Sequence, residues 1–269
     1  IHGRAGDVID TLAAVATLFG LATSLGLGAQ QVNAGFAHLF DFIPQSATVQ
    51  VILIAIITGM ATISVVLGVD KGIRRLSQVN VIIAGLLLFF VLLAGPTRYL
   101  LDALVQNLGI YIQTLPRLMF RTEAYTGTEW QHGWTLFYWA WWIAWSPFVG
   151  IFVARVSRGR TVREFIGAIV VVPTLATFVW LTVFGNAALH VELFGGGGIV
   201  EAVKADVAVA TFQLLENFPL TSITVALAVC IVITFFVTSS DSASLVVDII
   251  TSGGHPDPPK IQRVFWATM

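Results

Sequence analysis

Between Trp134 and Gly150 the sequence reads WTLFYWAWWIAWSPFVG, with Trp134, Trp139, Trp141, Trp142 and Trp145 set among Phe137, Tyr138 and Phe148. Indoles are the best cation–π partners among side chains, and several around one point can enclose a cation that has no N–H to donate. Trimethylammonium is such a cation, and its methyl groups favour apolar aromatic walls. Trp141 and Trp145 are four residues apart and share a helix face, while Trp142 sits about 100° round from Trp141. The competing reading is an aromatic belt at a membrane interface. It suits Trp134, Phe137 and Tyr138 near one end better than Trp141, Trp142 and Trp145, two to three turns inward. Pro147 is expected to disturb a helix here and free backbone carbonyls, and discontinuous helices mark substrate sites in many transporters.

A second group is FFVTSSDSAS, Phe235 to Ser244. Its hydroxyls and carbonyls are hard oxygen ligands of the kind that suits Na⁺. The alternatives are back-bonding of Ser and Thr to the preceding turn and close packing of small residues against a neighbouring helix. Asp241 favours function, because an ionisable group inside a span is costly. Its expected partner is Arg155 or another base at the inner end of the Trp-bearing helix, and a purely structural ion pair is the alternative. Gly20, Gly26, Gly28 and Gly35 lie near Thr17, Thr23 and Ser24 in the first apolar run, where helix packing is the default reading. The histidines, His2, His38, His132, His190 and His255, show no metal-ligand spacing. No nucleotide loop, nucleophile elbow or zinc motif is present, so no enzyme reading or cofactor is supported.

The elements that must position these residues are membrane spans. Apolar residues make up 57% of the 269, charged residues 11%, and mean hydropathy is +0.86. Soluble domains carry about a quarter charged residues. The net charge of −1 gives no basic field for nucleic acid. One cysteine, Cys230, permits no internal disulfide. A spanning helix needs about 20 apolar residues, and runs near 9–34, 46–69, 77–96, 133–157, 162–189 and 219–250 qualify. Ten of the 14 basic residues fall in alternate connections, at Arg4, Lys71, Arg74, Arg75, Arg155, Arg158, Arg160, Arg163, Lys260 and Arg263, which places that side in the cytoplasm. Residues 98–118 read as an interfacial amphipathic helix, 198–216 as a possible second outer helix, and Gly195–Gly198 as an outer hinge or tight turn. The chain reads as an internal stretch of a longer protein.

The Trp segment followed by ARVSRGRTVREF resembles the signature of the betaine/carnitine/choline transporter family. SLGLGAQQV, VVLGVDKGIRRLSQVN and TFFVTSSDSAS extend the resemblance across the chain. It implies an all-α integral membrane protein of leucine-transporter-type inverted-repeat fold, with about six of twelve spans in this single transmembrane domain. It implies a substrate set of Trp141, Trp142, Trp145 and Phe148. It implies half of a sodium site at the Phe235 carbonyl, Thr238 and Ser239. Thr17 and Phe148 match parts of a second sodium site, but the second threonine position is Leu21, which has no oxygen. The implied function is secondary-active import of glycine betaine, choline or carnitine as osmoprotectant or precursor. Na⁺ or H⁺ would be the coupling ion, and the transporter would be a homotrimer in a prokaryotic plasma membrane. The alternatives are a transporter of amino acids with the same fold, and an uncoupled channel or sensor.

Overall fold

A computed structural model describes residues 3–67, 70–127, 129–255 and 259–268. His2 and the side chains of Lys71, Arg74, Arg155 and Lys260, named above, lie outside the described residues. Among those described there is no strand. Lipid offers no partner for backbone polar groups, so each apolar run closes its own hydrogen bonds as a helix.

The long helices are α1 (Arg4–Leu39), α2 (Ala47–Leu67), α3 (Asp70–Ala94), α4 (Thr97–Met119), α5 (Phe137–Val156), α6 (Val162–Phe194) and α9 (Thr221–Thr251). Five stretches are long and apolar enough to cross a membrane: Arg4–Leu39, Arg75–Ala94, Gln131–Ala154, Val162–Phe194 and Thr221–Thr251. In α2 the apolar stretch among described residues is the shorter Ala47–Ile63. The outer stretch 98–118 lies in α4, which packs on α6. The stretch 198–216 forms two short helices, α7 (Ile199–Ala205) and α8 (Ala210–Leu215), and the chain ends in α10 (Lys260–Thr268).

Local chemistry fixes the joints. Buried Asn33 donates to the Pro44 carbonyl at 3.1 Å and accepts from the Ser46 N–H at 3.0 Å, which ties α1 to the start of α2. Thr161 and Glu164 form a reciprocal capping box at the start of α6. Gly197 and Gly198 take φ of 69° and 90°, where a Cβ would be strained. The Glu192 carboxylate then accepts from the N–H groups of Ile199 and Val200 at 2.9 and 3.2 Å, capping α7.

The centre of the assembly is α1, which packs on α2, α5 and α9. Between apolar helices in lipid there is little hydrophobic drive, so close approach and polar contacts decide the packing. A Cβ at Gly28 would lie 2.8 Å from the Phe236 ring of α9, and one at Gly35 would lie 2.3 Å from Val229 and 2.7 Å from Phe212. Replacing Gly35 with Leu is therefore expected to destabilise the fold by about 1–3 kcal/mol or more through overpacking. Gly26→Ala, where a Cβ meets nothing within 4 Å, should be tolerated. Thermal unfolding of the purified protein followed by size-exclusion chromatography measures both.

Candidate functional site

The aromatic helix α5 is preceded by a π-helical turn, Gln131–Leu136. At its N-terminal end the Trp134 and Tyr138 rings stack at 6.0 Å. The disturbance expected at Pro147 is absent, because α5 runs through it without a break. Proline removes the N–H that would bond to the carbonyl four residues earlier, here that of Ile143. The Ser146 hydroxyl donates to that carbonyl at 2.7 Å instead. The irregularity of the helix thus lies at its outer start.

Two of the expected aromatic residues converge on α1. The Trp141 indole N–H donates to Ser24 Oγ at 2.9 Å, and the Trp145 indole N–H lies 3.0 Å from both Ser24 Oγ and the Gly20 carbonyl. The Ser24 hydroxyl donates its own proton to the Gly20 carbonyl at 3.1 Å. A hydroxyl has one donor and two acceptor positions, and all three are used. Gly20 is required beneath Trp145, since a Cβ there would lie 3.0 Å from the Trp145 ring. Phe148 packs edge-on to Trp145 at 4.9 Å. Both indoles therefore have their polar edge satisfied by α1. An enclosed onium needs only ring faces from them.

Trp142 is not brought to this cluster. It is 73% exposed and lines a groove of about 570 Å³ between α4 and α6, with Asn107, Tyr111, Thr114 and Phe178. Its rotation from Trp141 turns it to a different neighbour.

On α9, Phe235, Thr238 and Ser239 occupy positions i, i+3 and i+4, which share a face. The Thr238 hydroxyl is 3.1 Å from the Phe235 carbonyl and 3.0 Å from that of Thr234. The hydroxyl back-bonds in this arrangement, yet its lone pairs stay available. The donor set of carbonyl and hydroxyl oxygens fits a hard cation, and further oxygens would have to come from outside these three residues. Thr17 is buried on α1 and donates to the Ala13 carbonyl at 2.8 Å. Asp241 is half-buried on α9, and its expected pairing with Arg155 involves a side chain outside the described residues. Among described residues no cluster of three or more His, Cys, Asp or Glu could hold a metal.

Two contacts went unread in the sequence. Ser24 was grouped with packing residues, although its spacing of four from Gly20 and from Gly28 marks one face. Asn80 of α3 is buried and accepts from the Thr234 hydroxyl at 2.6 Å, one turn from Thr238. It also donates to the Ile231 carbonyl at 3.4 Å. An amide in the apolar run 77–96 was its visible signal.

Replacing Ser24 with Ala leaves the Trp141 N–H without its acceptor. The expected cost is about 1 kcal/mol, the loss of one hydrogen bond by a half-buried donor. In a thermal-unfolding cycle Ser24→Ala and Trp141→Phe should be strongly non-additive, because the second removes the donor that the first orphans.

The chain matches the family described as BCCT, betaine/carnitine/choline family transporter, over residues 1–269. It is 49% identical over 269 residues to an uncharacterised transporter of Mycobacterium tuberculosis, covering 100% of this chain and 45% of that protein. It is 47% identical over 268 residues to a glycine betaine/proline/choline transporter of Vibrio parahaemolyticus, covering 100% of this chain and 48% of that one. It is 48% identical over 270 residues to an ectoine/glycine betaine/proline transporter of Corynebacterium glutamicum, covering 99% of this chain and 44% of that protein. The chain thus spans about half the length of the curated relatives it matches. These relatives are bacterial transporters and not enzymes, and five apolar helices of spanning length make this chain a multi-pass segment of a prokaryotic plasma-membrane protein. With its whole length matched and its helices arranged as an all-α membrane segment, the chain belongs to the betaine/carnitine/choline transporter family.

Proposed function

We propose that the protein containing this chain is a secondary-active importer of quaternary-ammonium compounds, glycine betaine or choline first among them, working by alternating access. The observation that carries the reading is the Trp141–Ser24–Trp145 contact. It holds two indoles by their N–H edges on one face of α5, and ring faces are what a cation that cannot donate a hydrogen bond would require of them. Phe148 extends the same wall. The names of the relatives support the substrate class, since glycine betaine occurs in those from Vibrio and Corynebacterium.

Na⁺ is the proposed coupling ion, held by the Phe235 carbonyl, Thr238 and Ser239, with Asn80 and Thr234 fixing that stretch of α9 one turn away. Thr17 offers one further oxygen on α1, but Leu21 beside it offers none, so a single Na⁺ site is the proposal. The ion would drive import by binding more tightly to the outward-facing than to the inward-facing state. A homotrimer and a role in osmoprotection complete the reading.

The test is uptake of labelled glycine betaine and choline by the full-length protein in proteoliposomes, with and without a Na⁺ gradient. Trp141→Leu and Trp145→Leu should each weaken apparent affinity by about tenfold or more, the scale of a desolvated cation–π contact. Thr238→Ala should raise the Na⁺ concentration needed for half-maximal uptake while sparing the onium preference. Uptake that ignores Na⁺ would keep the cage and remove the coupling proposal. Equal uptake of proline, which carries N–H groups and appears in the relatives' names, would remove the claim that the faces select for methylated ammonium.

A further inference from the structure

Asp248 sits one turn from the inner end of α9 and is fully buried. Both of its carboxylate oxygens are without a hydrogen-bond partner. The backbone around it is well satisfied: its own carbonyl accepts from the Ser252 N–H at 3.0 Å and from the Gln262 amide at 3.4 Å. Gln262 belongs to α10, which packs against α9 and α2, and the same amide reaches Thr251 Oγ1 at 3.1 Å. The next residue on α10, Arg263, is half-buried and makes no ion pair among the described residues. Among the described residues, its guanidinium acts on the Asp248 carboxylate. Between the two helices the chain leaves α9 through Gly253 and Gly254 at φ of 69° and 86°, a conformation glycine adopts freely and other residues rarely do.

We propose that Asp248 and Arg263 are the two halves of an inner latch that is open in the arrangement described and closes as an ion pair when α10 re-seats on α9 during the transport cycle. A buried carboxylate without a cation is unfavourable, and a guanidinium supplies both the charge and a pair of donors. The two groups lie on helices that pack together, and Gln262, next to Arg263, already donates to the Asp248 carbonyl. Re-seating of α10 would exchange an unpaired buried acid for a paired one. The proposal rests on the reading of the protein as an alternating-access transporter, because two states of α10 are its substance. It gives α9 a second task at its inner end, nine residues beyond Ser239 in the sequence. α9 would link the ion-binding oxygens to the closing of the cytoplasmic side.

The experiment is a double-mutant cycle in the full-length protein, read as uptake rate in proteoliposomes. Arg263→Gln should slow uptake about tenfold or more by leaving the acid without its partner in the closed state. Arg263→Lys should retain most of the rate. Asp248→Asn combined with Arg263→Gln should recover towards the rate of Asp248→Asn alone. Strictly additive losses, or an Arg263→Gln protein as fast as the parent, would overturn the latch. A second measurement does not depend on the substrate. Cysteines at 248 and 263, in a Cys230→Ser background, should be bridged by mercuric ion in native membranes. Absence of bridging under inward- and outward-favouring ion conditions would also overturn it. If the unmodified protein took up no onium, the proposed function would fail while bridging still decided the latch.

Discussion

The packing of this chain depends on how closely α1 can approach its neighbours. In lipid, helices gain little from hiding apolar surface against one another, so small residues and shared hydrogen bonds set the geometry. Gly20 and Ser24 receive Trp145 and Trp141 of α5, while Gly28 and Gly35 receive Phe236 and Val229 of α9. The aromatic helix and the hydroxyl-bearing helix are thus referred to the same strip of backbone. A side chain at any of those glycines would move one helix away from the other's support.

That dependence gives the aromatic segment its chemistry. An indole N–H packed against a neighbour usually finds a partner, and in α5 the half-buried Trp141 and Trp145 share one hydroxyl. The donors are used for structure, which in the proposed reading leaves the ring quadrupoles for recognition. In the proposed reading such a surface suits a cation whose charge is wrapped in methyl groups. Thr238 behaves in a comparable way on α9. Its hydroxyl is held locally by the backbone carbonyls of Thr234 and Phe235.

Much of this was legible in the sequence, and the limits have physical causes. Apolar runs long enough for a bilayer matched five helices of spanning length, while in α2 the described apolar stretch is the shorter Ala47–Ile63, and the segment 98–118 is helical within α4. Helical periodicity also put Trp141 and Trp145 on one face and Trp142 on another. It could not say which neighbour each face would meet, because that depends on α1, α4 and α6 coming together from distant parts of the chain. Pro147 shows the same limit. Its missing N–H is a certainty of covalent structure, but the Ser146 hydroxyl that occupies the freed carbonyl keeps the helix whole. Ser24 and Asn80 were hidden because small or amide side chains in apolar helices have many uses, and only the partner reveals which one applies.

The most direct measurement is a structure of the full-length protein with glycine betaine bound. The account expects the trimethylammonium group over the faces of Trp141 and Trp145, within about 6 Å of the ring centroids, with both indole N–H groups still on Ser24. Ligand in the groove between α4 and α6 against Trp142, with no density at Trp141 and Trp145, would contradict it.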